Sequence, residues 1–276
     1  MRIIPAPDGI KLTDPDRILL ISDMHVGSLY GLMPPGFETK DPRNDDMIRF
    51  TPNRTQKQLW NHWLKMCKTA SGVKAIIING DVCDGPQRKS AGLYTWTSNM
   101  KFQAEAAILA LESLPEAPMF FTQGSLYHAV EDRPIEQYIA ERCGAEYGDD
   151  LLVNTCGIKI HASHHISSSI SSWQYWTTAI ARDLLLLALH GAEDKYGHVD
   201  VAVRSHRHTF TAAEFGSQIG IITPAWQTRN QYAVRKGIIS PPDIGWVILE
   251  IHGPKRILVD RSGIANIGRP SRVVTA

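Results

Sequence analysis

Carboxylate and imidazole side chains crowd together at five places in this chain. They are Asp23-Met-His25, Gly80-Asp81-Val-Cys-Asp84, Gly124-Ser-Leu-Tyr-His128, His161-Ala-Ser-His164-His165 and Ser205-His-Arg-His208. Seven of the 11 histidines fall in these segments, so histidine is not scattered as a core or surface residue would be. Mixed carboxylate and imidazole donors suit manganese, iron, zinc or nickel better than calcium. Any one of the pairs recurs often by chance, and their weight comes from where they sit.

Each segment follows a short apolar run. Residues 17–23, 74–79, 118–122, 157–164 and 199–204 read as buried strands, bounded by turn residues such as Gly27, Gly80 and Gly124. Asp and His two apart at a strand's carboxyl end both reach one ion beyond the sheet, and Gly80 permits the turn from which Asp81 emerges. In open α/β sheets the crevice beyond the strands' carboxyl ends is where ligands bind. Between the strands, apolar residues at three-to-four spacing predict helices over 55–69, 98–114, 134–142 and 171–190. Alternating strands and helices give an α/β layered domain. After Arg204, strands over 209–215, 218–223, 245–252 and 256–260 suggest an antiparallel sheet closing a single domain of residues 1–276. Residues 27–54 and 85–97 are long, aperiodic and rich in Gly, Pro and Asn, which makes them candidate active-site loops.

The chain is long enough to bury a sizeable core, and a net charge of +1 provides no chain-wide basic field, which leaves a local basic groove as the way it could hold nucleic acid. No apolar run approaches the roughly 18 residues of a membrane span, and the start lacks a signal peptide's apolar stretch. The expectation is a soluble cytoplasmic protein with no membrane partner. The four cysteines form no CxxC pair, which argues against a zinc ribbon or a thiol redox motif.

The five segments in this order resemble the calcineurin-like metallophosphoesterases, whose motifs run D-x-H, G-D-x-x-D, G-N-H-D/E, a lone H, and G-H-x-H. The resemblance spans residues 19–208. It implies a four-layer α/β/β/α sandwich and two divalent metal ions, manganese first, with zinc, iron or nickel as other fits. By position, Asp23, His25 and His208 hold one ion and Asp81 bridges both. His206 and either His164 or His165 hold the second. The third motif departs from the pattern. Ser125 stands in for the ligating Asn as a poorer metal ligand and Leu126 replaces the following His, leaving His128 to act as general acid, phosphate contact or ligand. Asp84 reads as a turn residue or one that steadies a ligand, and His161 as structural. Arg204 and Arg207 bracket the last histidines as candidate phosphate contacts, while Trp96 and Trp226 read as packing residues first and as platforms for a base or aromatic leaving group second.

The activity implied is hydrolysis of a phosphodiester or phosphomonoester by a metal-activated water. Two rivals share the same features: a DNA-processing nuclease, and a degenerate member that binds without catalysis.

Overall fold

A computed structural model describes residues 14–41, 43–87, 91–125, 134–166, 176–192, 197–230, 241–253 and 256–267. His128 lies outside the described residues. In chain order the strands are β1 (Asp16–Ile21), β2 (Glu38–Lys40), β3 (Met47–Arg49), β4 (Ala75–Asn79), β5 (Met119–Thr122), β6 (Glu146–Gly148), β7 (Asp150–Thr155), β8 (Ile158–Ser163), β9 (Val201–Arg204), β10 (Thr211–Phe215), β11 (Gln218–Ile222), β12 (Val247–Ile251) and β13 (Ile257–Asp260). The helices are α1 (Arg54–Thr69), α2 (Met100–Leu111), α3 (Ile135–Cys143) and α4 (Thr178–Ala192).

Two sheets are stacked. One has the order β13-β12-β1-β4-β5-β6, the other β10-β11-β9-β8-β7. Strands β1, β4, β5 and β6 run parallel, as do β8, β9 and β11. The two-residue alternation of strand side chains explains the layering. Ile18, Leu20, Ala75 and Ile77 point to the second sheet, where they meet Ile160, Ala162, Val201 and Val203. Their neighbours Leu19, Ile21, Ile76 and Ile78 point the other way, into a core built with Leu59, Trp63 and Met66 of α1 and Ala106, Ala107 and Ala110 of α2. On the far face of the second sheet, Leu184 and Leu187 of α4 cover Ala202. The result is the four-layer α/β/β/α sandwich. Central strands buried on both faces read as unbroken apolar runs, as β4 (AIIIN) does.

The late strands behave differently from the sequence expectation. They form no closing sheet of their own. Strands β10 and β11 extend the second sheet, and β12 and β13 extend the first, with β12 antiparallel to β1. Short β2 and β3 pair inside the stretch expected to be loop. There Phe37 and Phe50 pack against Trp96, so the two expected loops lean on one another. Among the described residues, no helix is long and apolar enough to cross a membrane.

Ile77 is fully buried between the sheets. Ile77→Ala is expected to lower unfolding free energy by about 2–5 kcal/mol in urea titrations. A loss below about 1 kcal/mol would contradict a close-packed interface there.

Candidate metal centre

The carboxyl ends of the central strands of both sheets are stitched together by buried polar groups. The Asn79 amide donates to the Ser163 carbonyl (3.0 Å) and to Ser205 Oγ (2.6 Å), while its oxygen accepts from Thr122 Oγ1 (2.8 Å). Thr223 Oγ1 lies 2.7 Å from both Ser22 Oγ and Ser205 Oγ. Five strand ends (β1, β4, β5, β9 and β11) are thereby fixed relative to one another, and β8 is tied in through the Ser163 carbonyl.

Beyond β1 and β4 the two chains continue side by side. The Asp23 N–H donates to the Gly80 carbonyl and the His25 N–H to the Asp81 carbonyl, both at 3.0 Å. Asp23, His25, Asp81, His206 and His208 all have positive φ, between 45° and 71°. They make up five of the nine non-glycine residues in that region among those described. Left-handed backbone costs a non-glycine residue about 1–3 kcal/mol and persists where the surroundings over-determine it. Here it turns side chains from separate strand ends toward one point.

Two groups of donors result: Asp23, His25 and His208, and Asp81, His164 and His206, each with ligand atoms within 4.8 Å of one another. In the first, His208 Nε2 lies 3.1 Å and His25 Nε2 3.9 Å from Asp23 Oδ1, and the two ring nitrogens are 3.2 Å apart. In the second, His164 Nε2 lies 3.1 Å and His206 Nδ1 4.0 Å from Asp81 Oδ2. The groups adjoin, because Asp81 Oδ2 is also 4.0 Å from His25 Nε2 and Asp23 Oδ1 is 3.9 Å from His164 Nε2. His165 is exposed, its ring 5.0 Å from that of His206, and it belongs to neither group.

The donors fit metal ions. Asp23 Oδ1 is buried and accepts no hydrogen bond, although three imidazole nitrogens converge on it. The other nitrogens of two histidines are engaged as ligand histidines require. His164 Nδ1 is 2.7 Å from the Asn79 carbonyl and His25 Nδ1 is 3.2 Å from Asp84 Oδ1. The field calls for positive charge. Burial pushes the Asp23 carboxyl up, but His208 and His164 outweigh it and bring the pKa down to about 2. Burial opposes charge on His164, yet Asp81 and Asp23 raise it to about 10.

Ser125 faces the second group. Its N–H donates to Asp81 Oδ1 (2.5 Å), and its Oγ is 3.1 Å from both Asp81 Oδ2 and His206 Nδ1. Arg204 departs from its expected role as a phosphate contact. It is buried, bonding the carbonyls of His161 and Val203 and His161 Nδ1, with Nε 2.6 Å from Asp183. Strand alternation turns it toward α4, away from the donors. Arg207 is half-buried and donates to the Trp176 carbonyl. His161 bridges Arg204 and Asp150, a structural position. Trp226 is fully buried, with its ring against Trp63 and Trp246. Sequence reasoning did not single out Asn79 or Gln227. A polar residue closing the apolar run AIII was the available signal for Asn79.

No family model matches the chain, and no curated protein does. Among solved structures it is similar to a novel archaeal phosphodiesterase, at 13% identity over 90% of this chain and 99% of that one, with a TM-score of 0.45. It is also similar to vacuolar protein sorting 29 from Cryptosporidium parvum, at 13% identity over 93% and 97% with a TM-score of 0.44. A third is Entamoeba histolytica Vps29 complexed with zinc, at 13% identity over 85% and 86% with a TM-score of 0.41. Likeness at this level carries nothing about the site, which stands on its own geometry.

A Cβ added at Gly124 would overlap Asp81 N, Asp81 Oδ1 and Glu136 Oε1, and its φ is not in the positive region. Gly124→Ala therefore displaces Asp81 without other backbone strain, and metal affinity is expected to fall on the order of 10–100-fold by calorimetry. Unchanged affinity would contradict the placement of Asp81. Metal binding must also displace a proton from His164, which holds it up to about pH 10. Affinity should thus rise with pH across the neutral range, about tenfold per unit for each proton released. Titrations in buffers of different ionisation enthalpy read that proton directly, and a pH-independent affinity would contradict it.

Proposed function

We propose that this protein is a dinuclear-metal phosphoesterase hydrolysing a phosphodiester or phosphomonoester. The observation that carries the proposal is the adjacency of the two donor groups, with Asp81 Oδ2 within 4.0 Å of imidazoles from both. Asp81 would be shared between two ions, manganese being the first choice for this donor set and zinc, iron or nickel the others. Bound there, such ions supply Lewis acidity toward phosphate oxygens and toward an attacking water.

The chain's own residues do the positioning. Asp23 and Asp81 provide two negative charges in a buried site. The Asn79 carbonyl holds the Nδ1 side of His164, leaving Nε2 directed at Asp81. Ser125 donates to Asp81 through its backbone N–H, and its hydroxyl lies between Asp81 and His206. Exposed His165, beside His206, is placed to meet a substrate approaching that side. His128, outside the described residues, is the sequence's candidate for protonating the leaving group. The substrate class follows from chemistry: an anionic ester whose oxygens replace water around the ions. A chain of net charge +1 favours a small ester over a long polyanion such as DNA.

The test is turnover of bis-(p-nitrophenyl) phosphate and p-nitrophenyl phosphate by apoprotein resupplied with manganese, zinc or nickel. Metal-dependent cleavage is expected, reduced to background in Asp81→Ala and little changed in Cys83→Ala. The Cys83 thiol is fully buried, and burial holds its pKa well above the usual thiol value, so it stays inert. An Asp81→Ala protein that binds two ions and turns over normally would overturn the proposal. Two bound ions without cleavage of any ester would favour the non-catalytic binding module. Salt-sensitive cleavage of DNA would favour the nuclease.

A further inference from the structure

Resting on that reading, we infer that Asp84 and Gln227 form a positioning relay that sets the affinity of the first metal group through His25. His25 has two ring nitrogens with different partners. Nε2 faces Asp23 (3.9 Å) and His208 (3.2 Å), while Nδ1 lies 3.2 Å from Asp84 Oδ1. With its proton on Nδ1, donated to Asp84, the imidazole presents the Nε2 lone pair to the ion, and the carboxylate raises its basicity.

The carboxylate is in turn held. Asp84 is 3% exposed, and a buried carboxylate is costly unless hydrogen-bonded. Gln227 Nε2 donates to Asp84 Oδ1 and to Ser28 Oγ, both at 3.2 Å. Asn230 Nδ2 donates to Gln227 Oε1 (3.0 Å), which fixes which end of the amide faces Asp84. Gln227 is itself buried, and its strand-end neighbour Trp226 donates its N–H to the Asp23 carbonyl at 3.0 Å. The segment after β11 thus reaches the first group twice, once through backbone and once through Asp84. In the second group His164 is held instead by the Asn79 carbonyl.

The relay predicts a loss confined to one ion. The full chain is titrated with manganese by calorimetry, and bound metal is counted after dialysis. Cobalt-loaded protein is examined by visible absorption, which reports ligand geometry. Wild type is expected to take up two ions. Asp84→Leu should weaken the first about 10–100-fold and leave the second unchanged. Asp84→Asn, which keeps an acceptor for Nδ1–H, should fall between. Gln227→Leu should act in the same direction to a smaller degree and add nothing to Asp84→Leu in the double variant. Two ions at wild-type affinity in Asp84→Leu would overturn the relay. So would equal weakening of both ions together with a lowered melting temperature, which marks a role in folding alone. A wild-type chain that takes up no ion overturns the metallophosphoesterase reading itself, a result distinct from either.

Discussion

Two carboxylates, Asp23 and Asp81, are buried next to one another at the carboxyl ends of adjacent parallel strands, 0% and 1% exposed. Two like charges taken out of water in one place are strongly unfavourable unless positive charge accompanies them. The surrounding imidazoles meet part of that demand, which is why the Asp23 carboxyl stays low while His164 is raised. The imidazoles leave donor atoms crowded together. Two ring nitrogens, those of His25 and His208, face each other at 3.2 Å, and Asp23 Oδ1 is buried without a hydrogen bond. Divalent ions between these atoms would satisfy the buried Asp23 oxygen and draw on both imidazoles. The rest of the architecture serves to hold this arrangement together against its own repulsion.

That holding is done by rigid elements rather than by loops. β1 and β4 are apolar on both faces, so neither can shift without exposing residues to one core or the other. At their ends the Asn79 amide and the hydroxyls of Ser22, Thr122, Ser205 and Thr223 form a polar belt joining both sheets, and all five residues are fully buried. Fully satisfied buried networks of this kind specify one geometry. Five of the six donor residues can then adopt left-handed backbone, because the belt and the backbone bonds between the segments that follow β1 and β4 hold them there.

Much of this was legible in the sequence, for a physical reason. Strands buried on both faces must be short apolar runs, and β1, β4, β5, β8 and β9 fall where such runs lie. Donors placed at their carboxyl ends are brought to one sheet edge by topology alone, so Asp23, His25, Asp81, His206 and His208 could be named by number. What periodicity could not convey is pairing. Strands β10 to β13 look alike as isolated segments, and only long-range register assigns two to each sheet. Nor does strand alternation separate His164 from His165, since both lie beyond the end of β8 at Ser163. The structure brings His164 to Asp81 and leaves His165 exposed beside it. Arg204 looked like an anion contact because it lies close to His206 in sequence, yet its position on the opposite face of β9 commits it to His161 and Asp183. The C-terminal contribution of Gln227 carries no local signal at all, since its partner Asp84 is far away in sequence.

The third motif marks where this chain departs from the pattern it resembles, and Ser125 shows how the departure is accommodated. Its hydroxyl occupies the space between Asp81 and His206 without filling it as a longer amide would. The account as a whole stands on two ions sharing Asp81. The most direct measurement is anomalous diffraction at the manganese edge from crystals grown with that metal. Two peaks are predicted, one among Asp23, His25 and His208 and one among Asp81, His164 and His206, with Asp81 touching both. No peak at these residues, or a peak that leaves Asp81 without contact, would contradict it.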